Sequence, residues 1–315
     1  MKNYSVGGQA VIEGVMMKSA KHGAIAVRDN NGKIVVKEES VDSWVNGKAA
    51  GKIPILRGAL TMIETMIGGI NSLNYSSDVF LGDETEVEKD RFDKFIDKIF
   101  KDKANDAMVV ISLILATFIS VGLFMLVPTL LGGLFGRWVT NDIALNLIEG
   151  GIRICILFAY IIVISKNKDI QRVFEYHGAE HKSIHCFENE EDLTPENARK
   201  YKRLHPRCGT NFLFIVMITS IILFSFFGWP NPLLRIVVRI ICVPVVSGIA
   251  YEIIKLLGRY DNHLTRAVAY PGMMLQYLTT KEPDDSQLEV AIASLKSVLD
   301  RDGFLDYKSC GGEKI

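Results

Sequence analysis

The sequence has no excess of charge of either sign. Its 315 residues include 36 Lys+Arg and 36 Asp+Glu, which gives a formal net charge of zero at pH 7. A nucleic-acid-binding protein needs a basic excess to neutralise phosphates, so this balance argues against that class. Apolar residues make up 49% of the chain, which excludes an intrinsically disordered protein. The mean hydropathy of +0.20 is high for soluble domains and indicates that the apolar residues are concentrated in segments.

Cysteine is scarce, and we expect neither disulfides nor a signal peptide. The start of the chain, MKNYSVGGQAVIEG, has no long apolar stretch before Gly and Glu interrupt it. The cysteines show no paired spacing, so we expect free thiols or metal ligands on the cytosolic side of a membrane. The five cysteines are Cys155, Cys186, Cys208, Cys242 and Cys310.

Four apolar segments are long enough to cross a membrane. At about 1.5 Å per residue, an α-helix of this length spans a hydrocarbon core about 30 Å thick. Two of the segments are uncharged, and the other two are apolar but carry charges. We therefore predict a mainly α-helical integral membrane protein in the lipid bilayer, with a small N-terminal α+β module. The predicted spans are residues 107–131, 143–165, 211–229 and 233–257.

The distribution of Lys and Arg predicts the orientation. These residues number 15 before the first span, 9 in the loop 166–210 and 7 in the tail 258–315, whereas the two short connections share only Arg137. Cytoplasmic loops carry such an excess, so we expect both termini in the cytosol, with the spans in the cell membrane. The predicted organisation is a cytosolic module at 1–106, a transmembrane hairpin at 107–165, a histidine-rich loop at 166–210, a second hairpin at 211–257 and a tail at 258–315.

Outside the spans, the sequence predicts short strands and amphipathic helices. AIAVRD and KIVVKEESV flank Asn31-Gly32, a pair that favours a hairpin turn with positive φ at both central positions. Before them, GGQAVIEGVMM reads as an edge strand that carries one carboxylate, Glu13. Apolar residues at helical spacing predict an interfacial helix at 55–73 and an amphipathic helix at 287–299. A charged stretch at 83–103 reads as a solvated helix or linker.

Four of the six histidines lie between positions 177 and 205, and three belong to EYHGAEHKSIHCFE (175–188). On a helix, at about 100° per residue, His177, Glu180, His181, His185 and Glu188 fall within an arc of about 140°. Imidazoles at i and i+4 can share a divalent metal ion, for which Zn²⁺ fits best and Mn²⁺ and Fe²⁺ remain open. The pattern H-x-x-E-H is also the inverted zinc-peptidase signature, in which Glu acts as general base towards water. The simpler interpretation is a wet polar helix face.

Two alternatives remain open for the further metal ligand. His205 and Cys208 lie in the same predicted cytosolic loop, and together they would complete a closed, structural site. Glu252, near the end of the fourth span, would instead leave a position for water, as a catalytic site requires. Cys208 also has a simple interpretation as a small buried residue where the loop meets the third span.

Charged residues also occur inside the predicted spans. Glu149 and Arg153 are spaced i and i+4, which favours an ion pair on one helix. Arg235 and Arg239 share a face near the outer end of the fourth span and can snorkel towards the surface. Because charges at membrane depth are costly, Glu149 is a candidate for lining a polar cavity or contacting a substrate.

Several linked motifs make the chain similar to the YqhQ-like family of bacterial membrane proteins of unknown function, described generically as metal-dependent enzymes. The motifs are GGQAVIEGVMM (7–17), RGAL…LNYS (57–76), EYHGAEHKSIHCFE (175–188), HPRCGTNFL (205–213), YEIIKLLGR (251–259) and LTTKEPDDSQLEVAIA (278–293). The resemblance implies a multi-pass membrane protein with a metal site, and it supplies no substrate. The family's motif positions fall on Glu13, His177, Glu180, His181, His185, His205, Cys208 and Glu252.

The leading hypothesis is a membrane-anchored metal-dependent hydrolase whose site lies at the cytosolic face. His177 and His181 bind the metal, Glu180 is the general base, and His185 binds the metal or orients water. The segment around Glu13 would cover the site as a lid or substrate strand. A peptide or a lipid-linked molecule would suit such a site as substrate. The alternatives are a non-catalytic protein with a structural or sensory metal site, and a metal or small-ion transporter.

Overall fold

The computed structural model describes residues 6–45, 47–82, 104–206, 208–260 and 262–304. The charged stretch predicted at 83–103 and Cys310 lie outside these residues. The helices are α1 (Leu56–Leu81), α2 (Ala104–Val121), α3 (Val127–Phe135), α4 (Asp142–Ile164), α5 (Lys168–Glu188), α6 (Pro195–Arg199), α7 (Gly209–Phe224), α8 (Pro232–Arg259), α9 (His263–Thr279) and α10 (Asp285–Arg301). Short 3₁₀ turns lie at Ala49–Lys52 and Ser225–Phe227, and a π-helical turn, Gly122–Leu126, joins α2 to α3.

The predicted class, a mainly α-helical integral membrane protein with a small N-terminal α+β module, is confirmed. Four helical segments of the described chain are long and apolar enough to cross a membrane, and each lies within four residues of its predicted bounds. The first combines most of α2 with the π-helical turn and α3. The four segments are Val110–Phe135, Asp142–Ile164, Gly209–Phe227 and Pro232–Leu257.

The chain divides into two units that are built from non-contiguous segments. The first unit comprises Met1–Gly82, Ile161–Thr219 and Pro244–Ile315, and the second comprises Asp83–Tyr160 and Ser220–Val243. The first unit therefore brings together residues 1–82, the histidine-rich segment and the C-terminal tail. The second unit contains the first span, most of the second span, the end of the third and the start of the fourth.

The N-terminal sheet is an antiparallel meander of four strands in the order β1-β2-β3-β4. Its strands are β1 (Gly7–Val11), β2 (Gly14–Lys18), β3 (His22–Arg28) and β4 (Ile34–Ser40). The segment 7–17 is thus a tight hairpin, and β1 is indeed an edge strand. Glu13 lies in the two-residue connection with a φ of 48°, a left-handed conformation that a residue with a Cβ seldom adopts.

The predicted β3–β4 hairpin is confirmed, but its turn differs from the expected type. Gly32 has a φ of 81°, whereas Asn31 is not among the residues with positive φ. The Asp29 side chain accepts hydrogen bonds from the backbone N–H groups of Asn31 at 2.9 Å and Lys33 at 2.8 Å. This Asx turn stabilises a longer loop in which only one residue must be left-handed.

The core of the first unit lies between the sheet, α5 and α10. Met17 of β2, Tyr176 of α5 and Leu288 and Leu295 of α10 are fully buried in one cluster. The helix α10 is the predicted amphipathic helix of the tail, and a capping box between Asp284 and Gln287 fixes its start. The helical pattern in the sequence does not reveal α9, because Pro271 interrupts it.

Candidate metal centre

The histidine-rich segment forms the second half of α5, as the predicted helical face requires. The helix begins after Asn167, whose side chain accepts hydrogen bonds from the N–H groups of Asp169 and Ile170. Its second half is largely buried, with Glu180 4% and His181 1% exposed. These groups are therefore not residues of a wet surface, and each buried polar atom needs a partner or a ligand.

One candidate ligand set consists of His177, His181 and Cys208. One ligand atom from each residue lies within 4.8 Å of the other two. His177 Nε2 is 3.1 Å from Cys208 Sγ, and the two imidazole centroids are 4.5 Å apart. Because Cys208 directly precedes α7, it brings the end of the loop back onto the middle of α5. Two imidazoles and a thiolate are a normal ligand combination for zinc.

Backbone carbonyls fix the orientation of both imidazoles. His177 Nδ1 lies 2.8 Å from the carbonyl oxygen of Thr279, and His181 Nδ1 lies 2.5 Å from that of Arg203. Only a protonated Nδ1 can bond a carbonyl, so each Nε2 carries the lone pair that faces the set. His181 Nε2 is buried and has no hydrogen-bond partner in the described chain. In a metal-bound histidine, the ring nitrogen that does not bind the metal usually donates a hydrogen bond to a carbonyl, a carboxylate or water.

The pKa shifts of Cys208 and His181 favour the protonation states that bind a metal ion. Burial raises the pKa of the Cys208 thiol, but its interactions with His181 and Thr210 outweigh burial and bring the pKa below its usual value. Burial lowers the pKa of His181, and this outweighs the opposite effect of Cys208. A thiolate and a neutral imidazole are the forms that bind a metal ion, so the residues present fit a divalent metal.

A second set lies beside the first and consists of His185, Glu188 and His205. Their ligand atoms also lie within 4.8 Å of one another, and the His185 and His205 ring centroids are 4.6 Å apart. His205 Nε2 is 3.4 Å from a Glu188 oxygen, and His185 Nε2 is 2.9 Å from the carbonyl oxygen of Leu204. The sequence placed Glu188 on the histidine face but assigned it no role, although its i+3 spacing from His185 was the available signal.

Glu180, the predicted general base, lies against the edge strand of the sheet. Burial raises its pKa to about 8; the electrostatic interaction with His177 and the hydrogen bond from the Gly8 N–H lower it, and Cys208 raises it. A Cβ on Gly8 would lie 2.9 Å from Glu180 Cδ, so only glycine allows this approach of β1. A carboxyl whose pKa lies near 7 is suited to proton transfer.

Two other predicted site residues are bound to arginines. Arg57 Nε and Nη2 donate to both carboxylate oxygens of Glu252, at 2.6 and 2.5 Å, so the structure does not bring Glu252 together with the histidines. Glu13 receives two hydrogen bonds from Arg172 and one from the Tyr176 hydroxyl at 3.1 Å. The β1–β2 hairpin does cover α5, but its contact with the candidate base is through Gly8 and not through Glu13.

Glu149 belongs to the second unit, where it is fully buried in a cluster of arginines. Arg153, Arg235 and Arg239 each donate to its carboxylate, and the Thr129 hydroxyl donates to it at 2.8 Å. The predicted pair with Arg153 is present. Arg235 and Arg239 are only 5% and 4% exposed, so they turn inward to this carboxylate and do not snorkel.

Comparison with known proteins supports a family of unknown activity. Residues 53–301 match a family described as "Protein of unknown function (DUF1385)". The chain is 35% identical over 298 residues to "Uncharacterized protein YqhQ" of Bacillus subtilis (strain 168), which covers 93% of this chain and 92% of the relative. No solved structure matches the chain. The family match includes every candidate ligand on α5 and in the following loop, whereas Glu13 lies before it.

Proposed function

The chain belongs to the DUF1385 family of proteins of unknown function, which includes the YqhQ-like proteins, and from its site we propose that it is a membrane-anchored, metal-dependent hydrolase. The observation that carries the proposal is the orientation of His177 and His181. Both turn Nε2 towards Cys208, and the buried Nε2 of His181 has no other partner in the described chain. Zn²⁺ is the ion we propose, because imidazole nitrogens and a thiolate suit it best.

A divalent metal in this set would supply Lewis-acid chemistry, which polarises a substrate carbonyl or phosphoryl group. The chain's own residues provide the other functions. The carbonyls of Thr279 and Arg203 hold the imidazoles in their metal-binding tautomers. Glu180 accepts and returns a proton, since burial holds its pKa near 8 and so within the range where both forms are populated at neutral pH.

The position of the site next to a membrane span favours a peptide or lipid-linked substrate. Cys208 lies immediately before the third span, Gly209–Phe227. We place the site at the cytosolic face of the cell membrane, because 31 of the 36 Lys+Arg residues lie in the segments that we assign to the cytosol.

One observation supports a second candidate, a metal site that only clamps the loop to α5. Glu180 is 4% exposed and β1 covers it at Gly8, so catalysis requires β1 to move away. In a structural site, by contrast, the chain itself would fill the metal's coordination shell, and Glu180 would serve packing.

Two variants of the purified full-length protein separate these candidates. Metal content per chain is measured by elemental analysis, and hydrolysis is measured on fluorogenic peptides and on lipid-linked phosphoesters in mixed micelles. His177→Ala with His181→Ala should lose the metal, and equal metal in this variant and the wild type would overturn both candidates. Glu180→Gln should keep the metal and lose at least 100-fold in rate, the lower range for a general base. If Glu180→Gln keeps both the metal and the wild-type rate of hydrolysis, the site is structural.

A further inference from the structure

The buried cluster around Glu149 contains more positive than negative charge. Three guanidinium groups, which stay protonated in proteins, surround one carboxylate. Among the described residues, no second carboxylate pairs with these arginines, so the cluster carries a surplus of about two positive charges when Glu149 is ionised. A charge buried at membrane depth is costly unless it is compensated. The cluster is therefore electrostatically incomplete without an anion.

The hydrogen bonds of the cluster lead to the same conclusion. Arg235 makes only long contacts, 3.4 Å to Glu149 and 3.5 Å to the carbonyl oxygen of Thr129. Its Nε is buried and has no hydrogen-bond partner in the described chain. An unsatisfied buried donor of a charged group costs more than a net hydrogen bond contributes, so this N–H needs an acceptor.

The surroundings hold these donors in place. The Trp229 ring lies 3.7 Å from the Arg235 guanidinium carbon and covers its face, which leaves the N–H groups in the guanidinium plane to bind a ligand. Arg153 donates through Nε to the carbonyl oxygen of Phe124 at 3.0 Å, within the π-helical turn. A π-helical turn releases a carbonyl from the regular ladder, and here that carbonyl positions the third arginine.

Arg235 and Arg239 line a small cavity that is open to solvent on one side. Its enclosed part has room for about one water molecule, so it receives one oxygen of a bound ligand, and the rest of that ligand lies at the open side. Asn146 adds a polar group, and the other side chains in the lining are mostly apolar, among them Phe224, Phe227 and Val238. This is a cavity with a basic end and an apolar wall.

We propose that this cavity binds a phosphate group through Arg235 and Arg239. Paired guanidinium groups match the oxygens of a phosphate, and its negative charge compensates the surplus. Arg235 and Arg239 lie three and seven residues after Pro232, where α8 and the fourth span begin, or about 5 and 10 Å along the helix. The phosphate comes from a lipid headgroup or from free phosphate, and both sources present the same chemistry.

The test uses purified full-length protein in a maltoside detergent and follows its melting temperature during titration. One arm adds inorganic phosphate at constant ionic strength. The other adds phosphatidylglycerol in mixed micelles, with a glucosyl diacylglycerol that lacks phosphate as its control. A rise in melting temperature that follows the logarithm of the inorganic phosphate concentration assigns a free anion, and a rise with phosphatidylglycerol alone assigns a lipid. If neither raises the melting temperature more than its control, the proposal is wrong.

Three variants connect the binding to the cavity. Arg235→Gln should raise at least tenfold the ligand concentration that is needed for a given rise in melting temperature. Arg235→Lys keeps the charge that Glu149 needs but loses Nε, so it should raise this concentration severalfold. If Arg235→Gln fails to fold, the lysine variant still gives the answer. Arg137→Gln is the matched control, because it removes one exposed arginine from the connection between the first two spans. If Arg137→Gln raises the required ligand concentration as much as Arg235→Gln does, the effect comes from general surface charge and the proposal is wrong.

Discussion

Arg57 binds both carboxylate oxygens of Glu252 across 195 positions of the chain. The helices meet here because Gly58 and Gly248 have no side chains. A Cβ on Gly248 would lie 2.3 Å from the carbonyl oxygen of Ile55, and one on Gly58 would lie 2.9 Å from Gly248 Cα. The pair therefore fastens the start of α1 to the last turns of the fourth span, and it gives Glu252 a structural partner.

Glu252→Gln should consequently keep the metal content of the wild type. The variant loses the charge that Arg57 binds, so we expect a lower melting temperature in detergent with unchanged metal per chain. Cys208→Ser is the comparison, because it removes the thiolate and should release most of the metal. A loss of metal in Glu252→Gln as large as in Cys208→Ser would make Glu252 a ligand in a state that differs from this structure.

His205→Ala tests which of the two ligand sets holds the metal. His205 belongs to the second set, and the first set already has three donors without it. We expect His205→Ala to retain about one metal per chain, and elemental analysis of the purified variant measures this. A complete loss of metal would show that the ion lies between the two sets, which adjoin at His181 and His205 with ring centroids 5.7 Å apart.

Added Zn²⁺ should stabilise the protein after chelator treatment. A ligand that binds only the folded state contributes about 2.7 kcal/mol at 100 times its dissociation constant, so the melting temperature should rise with the logarithm of the free Zn²⁺ concentration once this exceeds the dissociation constant. The rise should disappear in His181→Ala, which removes the buried Nε2 lone pair that has no hydrogen-bond partner in the described chain. An equal rise in that variant would place the bound zinc elsewhere.

Gly8→Ala should destabilise the protein, whereas Gly7→Ala should not. A Cβ on Gly8 would lie 2.6 Å from the carbonyl oxygen of Met16 and 2.9 Å from Glu180 Cδ, and one on Gly7 would meet nothing within 4 Å. Overpacking of this kind costs about 1–3 kcal/mol, and an exposed change usually stays within about 0.5 kcal/mol. The free energy of unfolding in detergent measures both variants. Equal values would mean that β1 does not lie on Glu180.

The parts of the site that local spacing determines could be predicted from the sequence. His177 and His181 share a face because they are one helical turn apart, and the four spans follow from the lengths of the apolar segments. Contacts between distant segments could not be predicted. The ion pairs of Glu252 with Arg57 and of Glu13 with Arg172 join residues 195 and 159 positions apart, so no local pattern indicates them.

The missed helix α9 has a different cause. Pro271 lies inside it and breaks the pattern that predicts a helix, although the capping box at Asn262 and Thr265 was a visible start signal. This helix supplies Thr279, whose carbonyl orients His177. Because backbone atoms do this work, no residue type in α9 could reveal its role at the site.

Ser294 connects the C-terminal helix to the sheet and tests whether the tail is part of the core. It is fully buried; its hydroxyl accepts a hydrogen bond from the Met17 N–H at 3.1 Å and donates one to the carbonyl oxygen of Ala24 at 2.9 Å. Ser294→Ala leaves both groups without this partner, so we expect a loss of about 1–3 kcal/mol in the free energy of unfolding.

Ser297→Ala is the matched control on the same helix. Its hydroxyl donates to Glu38 at 2.8 Å in an exposed pair, so its loss should stay within about 0.5 kcal/mol. Chemical unfolding in detergent is followed by the fluorescence of Trp44 in a background that carries Trp138→Phe and Trp229→Phe, because those two tryptophans belong to the other unit. Two equal losses would mean that α10 contributes no buried hydrogen bond to the sheet, and the tail would then lie outside the core that positions α5.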